Sequence, residues 1–212
     1  MKKNIFIIFF IIIFQNILIF FNLYSQINNV IVVKVGETLI TSVDIKNEIL
    51  SNLIINGLDV TQENINNNKN FAVKNLINKS IKRNEVNKFE ITDYNKKDLQ
   101  KYISTVAENL NTDVNGLKEI FKKNNVSFQT FAKKHETELL WNTLIFAIYK
   151  NQTNVNIYDV NYEVEQIKED KSEDELKKIR ERILNQKKRE KLSLFSRSHF
   201  TNLENTIAID FQ

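Results

Sequence analysis

The stretch VVKVGETLITSVDI, Val32 to Ile45, contains two short runs of strand-forming residues, one glycine turn and the start of a helix. β-Branched residues dominate Val30 to Val35, and Thr38 to Ile40 resumes the pattern after Gly36. Such runs are typical of two strands joined by a tight turn. Because two strands are not stable alone in water, we expect another part of the chain to pair with this hairpin or cover it.

A third strand is predicted at the other end of the chain, in NTIAIDF, Asn205 to Phe211. Its apolar residues alternate, so that Ile207 and Ile209 would share one face of the strand. We expect this segment to pair with Val30 to Val35. Both ends of the folded chain would then lie in one small sheet.

The segment between these strands is predicted to be almost entirely helical, because the chain has no proline and only three glycines, the residues that tight β turns usually need. Side chains that can accept the free amide hydrogens of a first helical turn mark five starts: Thr41 or Ser42, Thr61, Thr92, Asp113 and Ser127. A short helix from Tyr158 to Lys168 and a long polar helix from Glu173 to Phe195 follow. The predicted fold class is therefore mostly α, with a small β-sheet.

Residues 1–25 are typical of a secretory signal peptide, since two lysines precede ten consecutive apolar residues and Ser25 offers a small residue at a cleavage site. Residues 4–24 are also long enough to cross about 30 Å of hydrocarbon as a helix. An uncleaved membrane anchor is therefore the alternative. In both cases residues 26–212 would form a single domain outside the cytoplasm, where a chain without cysteine is well suited to an oxidising compartment.

The charge pattern argues against binding to nucleic acid. The net charge is only +4, and the 30 basic residues are interleaved with 26 acidic ones, whereas nucleic-acid binding needs a one-sided basic surface. Even the most basic run, KKIRERILNQKKREK at residues 177–191, carries acids within it.

The residues needed for catalysis are also missing from the sequence. Without cysteine there is neither a thiol nucleophile nor a thiolate metal site. His135 and His199 are far apart and have no clustered carboxylate or hydroxyl partner, so we expect both to be solvated surface residues. The glycines are isolated and cannot form a phosphate-binding loop. We therefore expect no enzyme activity, no metal and no cofactor.

Large aromatic residues are concentrated on the predicted helices of the middle segment. Most of them are expected to form the core. Several amphipathic helices with such large side chains could also leave an apolar groove, which is how helical proteins bind extended or unfolded peptides. Spacing does not separate these two roles. The candidates for lining such a groove are Tyr102, Phe121, Phe128, Phe131 and Trp141.

The order of these elements resembles the SurA-type periplasmic chaperones over about Asn29 to Lys168. Their mature part opens with a strand, a turn of the V-G-x-x-I-T kind and an S-V-D helix start. AVKNLINKSIKRNEVNKFEITD resembles the next segment of the family, and LNTDVNGLKEIFKKNNVSFQTFAKKHETELLWNTLI resembles the region with the long helix after it. The matching residues of the opening are Val32, Val35, Gly36, Ile40, Thr41, Ser42, Val43 and Asp44.

The resemblance implies a helical chaperone core made of residues 29–168 and closed by the final helix and strand of residues 172–212. In the family, one or two parvulin-type prolyl isomerase modules stand between these two parts. Here Glu173 follows Tyr158 too closely to leave room for a module of even about 50 residues. Prolyl isomerase activity is therefore not expected.

The resemblance also implies a function. A SurA-like protein of this kind would be exported to the periplasm and would bind unfolded outer-membrane proteins or aromatic-rich peptides in an apolar cleft, without ATP. The alternative is an adaptor anchored in the inner membrane that docks on a folded partner. Contact with the membrane is expected only if the N-terminal segment stays uncleaved.

Overall fold

The predicted hairpin stands at the beginning of the described chain. The structure, a computed structural model, describes residues 29–169 and 171–212, so the predicted targeting segment lies outside it. Strand β1, Ile31–Val35, pairs antiparallel with β2, Thr38–Thr41. Gly36 occupies the turn with φ of +56°, a left-handed conformation in which a residue without Cβ is favoured.

The strand predicted at the far end of the chain pairs with the hairpin. β3, Ile209–Phe211, runs antiparallel to β1, with Val35 opposite Ile209, and the strand order of the sheet is β2-β1-β3. The backbone amide of Gly36 donates a hydrogen bond of 2.9 Å to the carbonyl oxygen of Ala208. The prediction that both ends of the folded chain share one sheet is therefore confirmed.

Helices fill most of the described chain between β2 and β3, which confirms the mostly α fold with a small antiparallel sheet. A short 3-10 turn, Lys150–Gln152, follows the fifth helix. In chain order the helices are α1 (Ser42–Ile55), α2 (Gln62–Lys88), α3 (Lys96–Asn109), α4 (Val114–Lys123), α5 (Phe128–Tyr149), α6 (Ile157–Glu165) and α7 (Glu173–Thr206).

Most of the predicted helix starts are correct. At the start of α1, the side chain of Thr41 accepts a hydrogen bond from the amide of Asp44, while the Asp44 carboxylate accepts one from the amide of Thr41. This reciprocal pair satisfies two amide groups that a helix start otherwise leaves free. The side chains of Thr61, Asp113 and Ser127 cap α2, α4 and α5 in the predicted way.

Several predicted boundaries were wrong. The closing strand begins at Ile209 and not at Asn205, because the last helix runs to Thr206 and Ile207 follows its end. α3 begins at Lys96 and not near Thr92, because the side chain of Asn95 caps it. α6 begins at Ile157 and ends at Glu165, three residues before the predicted end. α7 continues to Thr206, well past the predicted end at Phe195, because Phe200 and Leu203 on its last turns pack against the core.

The core of the described chain consists of four clusters, of which one lies at the sheet and another among the helices away from it. At the sheet, Val33 and Val35 of β1 are fully buried against α2 and the last turns of α7. Away from the sheet, α1, α3, α4 and α5 enclose a second cluster around Phe121 and Phe131. α5 also packs on α7, where Trp141 donates from Nε1 to Oγ of Ser196 at 2.8 Å.

Loss of the Trp141–Ser196 hydrogen bond should measurably destabilise the fold. Trp141 is 2% exposed, so Ser196→Ala leaves its buried N–H without a partner, at an expected cost of about 1–3 kcal/mol in the free energy of unfolding. Trp141 is the single tryptophan of the chain, so urea unfolding followed by its fluorescence measures this cost directly. Ser198→Ala, at an exposed position of the same helix, controls for the change in helix propensity. Equal unfolding midpoints for the two variants would contradict the assignment.

Candidate functional site

The structure divides the five predicted lining residues between the core and more accessible positions. Phe121, Phe131 and Trp141 are buried, with exposed fractions of 0%, 3% and 2%. In this conformation Phe121 and Trp141 contact other side chains of the core, which corrects their assignment to a ligand-binding surface, whereas Phe131 also lines an open cavity. All three are buried because they lie on the faces of α4 and α5 that pack against other helices. Tyr102 and Phe128 are half-buried and keep some accessible surface.

Four of the five rings belong to one aromatic cluster. The ring of Phe121 lies 4.9 Å from that of Phe131 and 5.7 Å from that of Phe128, measured between centroids. Tyr102 continues the cluster at 5.8 Å from Phe131 and stacks on His135, with centroids 3.6 Å apart and planes 6° from parallel. The Tyr102–His135 stack is the edge of the cluster that reaches an open cavity.

That cavity, which we call the polar cleft, lies among α1, α2, α3 and α5 and has a volume of about 330 Å³. Its size falls at the lower end of the range for small-ligand pockets, about 300–1,000 Å³. Apolar surface comes from the aromatic cluster, and polar groups come from α1, α2 and α5. The residues that matter most are Asn52, Asn78, Lys79, Tyr102, Phe131 and Lys134.

A buried carboxylate organises the wall of the polar cleft. Glu48 of α1 is 6% exposed, and its Oε1 accepts hydrogen bonds from Nζ of Lys134 at 2.5 Å and from the side-chain amides of Asn75 and Asn52 at 3.2 and 3.3 Å. A buried charge is tolerated when it is paired and hydrogen-bonded in this way. The charge of Lys134 is therefore matched within the protein.

The two other lysines of the cleft, Lys82 and Lys79, differ in whether an acidic residue pairs with them. Nζ of Lys82 pairs with the carboxylate of Glu138 at 2.6 Å. Lys79 forms no ion pair with any described residue. Burial lowers the pKa of Lys79, and the nearby Glu48 carboxylate partly opposes that effect. Lys79 is thus the cation of the cleft whose charge has no direct partner in the described chain.

Both histidines lie in less exposed surroundings than predicted. His199 contacts the hydroxyl of Tyr149 at 2.9 Å and the carboxylate of Glu85 at 3.2 Å, and 15% of its side chain is exposed. Burial lowers the pKa of His135, with Glu138 as the main opposing charge. The prediction of solvated surface histidines was therefore wrong, since the partners are distant in sequence and only the helix packing brings them close.

A second depression, the α1–α2 groove, is apolar and was not predicted from the sequence. Its volume is about 330 Å³, and exposed Lys46 and Lys69 stand at its rim. Ile49 and Leu50 of its floor are buried, and Ile45 and Ile65 are half-buried. The apolar lining consists of Ile45, Ile49, Leu50, Ile65 and Val73.

The described residues contain no cluster of histidine and acidic side chains that could hold a metal ion. Within the same part of the chain, every helix is too short or too polar to span a membrane.

Comparison with known proteins gives no further assignment. No protein-family model matches the chain, and no curated protein matches it either. The resemblance to the SurA-type chaperones thus stays a prediction made from the sequence.

Removal of Lys134 should destabilise the fold through Glu48. Lys134→Met leaves a buried carboxylate with only neutral donors, and we expect a loss of about 3 kcal/mol in the free energy of unfolding. The double variant with Glu48→Gln removes the unpaired charge and should recover part of this loss. Lys133→Met, at an exposed position beside Lys134, is the matched control. Additive effects of Glu48→Gln and Lys134→Met in a urea double-mutant cycle would contradict the coupling.

Burial of His135 should make stability depend on pH. Folding lowers the pKa of His135, so the unfolded chain binds the proton more readily than the folded chain. Stability therefore rises with pH. The contribution is lost as pH falls below about 6.5, the ordinary pKa of histidine. Chemical unfolding at several pH values between about 5 and 7.5 measures this loss. His135→Gln should show a shallower dependence than the wild-type chain. Parallel curves for the two proteins would exclude His135 as a source.

Proposed function

We propose that this protein binds extended apolar segments of unfolded polypeptides, as a minimal SurA-like chaperone of the periplasm whose clients are outer-membrane proteins. The observation that carries the proposal is the α1–α2 groove, an apolar depression with cationic residues at its rim. The sequence resemblance supplies the expected compartment and client class. No bond is made or broken in such a function, which is in keeping with the poor set of catalytic residues in the sequence.

The dimensions of the α1–α2 groove support binding of one or two side chains at a time. Burial of one large apolar side chain contributes roughly 1.5–3 kcal/mol, and the ordering of an unfolded segment opposes binding. The net affinity of a single contact would therefore be modest. Modest affinity lets a client dissociate and pass to the next protein without ATP.

The lysines at the rim favour a particular kind of client segment. Lys46 and Lys69 are exposed, line the groove and form no ion pair within the described chain. Their aliphatic stems can extend the apolar surface while their ammonium groups remain in water. A segment with an apolar side chain in the groove and an acidic residue next to it fits this arrangement best.

The aromatic candidates keep a smaller role in this proposal. Tyr102 and Phe128 retain accessible surface and could contact an aromatic-rich client. Phe121 and Trp141 contribute to core packing, and Phe131 belongs to the core and to the wall of the polar cleft. Client binding is thus assigned mainly to the aliphatic groove and only secondarily to the predicted aromatic residues.

One observation favours the alternative, an adaptor that docks on a folded partner. α6 exposes Ile157, Tyr158 and Tyr162, with exposed fractions of 48%, 78% and 68%. The two tyrosines are four residues apart and so share one side of the helix, and tyrosine is enriched at protein interfaces. The membrane anchor that would accompany this function falls on residues 4–24, outside the described chain.

The chaperone proposal predicts suppression of aggregation that depends on the α1–α2 groove. The purified protein is mixed with an outer-membrane barrel diluted from urea, and turbidity is followed over time. Suppression is expected at a near-stoichiometric ratio, and it should weaken in Ile65→Ser, which removes apolar surface from the groove. Leu194→Ser, at a 59% exposed position of α7, is the control and should leave suppression unchanged.

A second variant separates binding from stability. Lys46→Glu with Lys69→Glu changes only exposed rim positions, so the fold should keep its unfolding midpoint while suppression of an acidic client declines. If the folded wild-type protein does not suppress aggregation at all, the chaperone proposal fails. The exposed face of α6 and the adaptor function would then be the better interpretation.

A further inference from the structure

The polar cleft contains one more cation than the described protein neutralises. Of its three lysines, Lys134 is paired with Glu48 and Lys82 with Glu138, at 2.5 and 2.6 Å. Lys79 has no ion-pair partner among the described residues. Because a partly buried ammonium group without a partner is costly, the cleft is electrostatically suited to a ligand with one negative charge.

A hydrogen-bond acceptor next to Lys79 is also unused. Oδ1 of Asn78 is buried and has no hydrogen-bond partner, and it is the one described side-chain atom in that condition. Asn78 and Lys79 are consecutive residues of α2, and both line the polar cleft. Buried acceptors without partners are rare in folded proteins and need an explanation. Because this oxygen has almost no accessible surface in the conformation described, a ligand N–H group would supply the missing donor once the Asn78 side chain turns toward the cleft.

The remaining wall of the polar cleft is apolar and partly aromatic. Tyr102, held flat against His135, meets Phe131 and Ile55 at this wall. A planar or aliphatic side chain of a ligand could pack here while its polar groups reach α2. The cleft thus presents a cation, an acceptor and an apolar surface within about 330 Å³.

We propose that the polar cleft binds a carboxylate with a neighbouring N–H group and an apolar side chain, the chemistry of an N-acylated amino acid or of the C-terminal residue of a polypeptide. Nζ of Lys79 binds the carboxylate, Oδ1 of Asn78 accepts the N–H, and the Tyr102 wall packs on the side chain. The site shares no lining residue with the α1–α2 groove and goes beyond the proposed chaperone function.

The charges around Lys79 favour a monoanion over phosphate. Glu48 and Glu138 stand close to the cleft, and Asp44 also acts on Lys79. Arg83, whose Nη1 lies 3.4 Å from Oγ1 of Thr137, contributes one further positive charge nearby. Arg83 does not line the cleft, so a dianion would place a second negative charge near buried Glu48 with no unpaired lysine of the cleft left to match it.

The experiment titrates the full-length chain by calorimetry with three small probes. N-acetyl-phenylalanine carries all three groups, its C-terminal amide lacks the carboxylate, and 3-phenylpropionate lacks the N–H. Binding of N-acetyl-phenylalanine should be about tenfold or more tighter than that of either analogue, because each analogue leaves one buried group of the cleft unmatched. Equal binding of acid and amide, or no saturable binding of any probe, would overturn the proposal.

Variants test whether N-acetyl-phenylalanine binds in the polar cleft. Lys79→Met should weaken the binding of N-acetyl-phenylalanine about tenfold or more, and Asn78→Asp, which keeps the shape but adds a negative charge, should abolish it. Lys74→Met, at an exposed position of α2 outside the cleft, is the matched control and should bind like the wild-type chain. Unchanged affinity in Lys79→Met would place the ligand elsewhere and overturn the assignment.

Two peptides test whether the carboxylate belongs to a polypeptide C-terminus or to a small metabolite. A peptide that ends in phenylalanine with a free carboxylate is compared with the same peptide amidated. Tighter binding of the free-acid peptide than of N-acetyl-phenylalanine identifies a polypeptide C-terminus as the ligand, and the reverse order identifies a small metabolite. Lys79→Met should not change suppression of aggregation, so this proposal and the chaperone function can fail independently.

Discussion

The backbone pairing of β1 with β3 holds together residues from opposite ends of the described chain. A two-stranded hairpin is marginal in water, so the third strand adds to the stability of the sheet, and Val33 and Val35 are fully buried where helices cover its face. α2 packs on this sheet, and so do the last turns of α7. Closure over so long a chain costs entropy, but that cost grows only slowly with loop length. The burial of apolar side chains on one face of β1 offsets this entropy cost.

The helices that the sheet holds in place enclose a charged interior as well as an apolar one. Glu48 is buried in the wall between α1 and α2, and its three donors come from α1, α2 and α5. The contact from Asn52 lies within α1, whereas those from Asn75 and Lys134 form only when α2 and α5 are in position. The network therefore fixes the geometry of the polar cleft, in the same way that fully satisfied buried polar groups make a core unique.

The two cavities offer different kinds of recognition. The α1–α2 groove is aliphatic and permissive, since it presents few polar groups that could select a ligand. The polar cleft is selective, because Lys79 and Asn78 each require a particular partner group. A protein that holds unfolded chains in the first and recognises a carboxylate in the second would combine broad client binding with one specific contact.

The sequence by itself determined the fold class, the hairpin, the closing strand and most helix starts, because these follow from local side-chain chemistry. Alternation of apolar residues predicted Ile209 in a strand. The hydroxyl of Thr41, which can cap a helix, predicted the start of α1. The tertiary structure alone decided which aromatic residues are buried. Phe121 and Tyr102 both lie on predicted helices, and the sequence does not show that Phe121 is buried while Tyr102 is half-buried. The tertiary structure also decided the partners of His199 and the isolation of Lys79. Burial and pairing are set by side chains from distant helices, which no local pattern specifies.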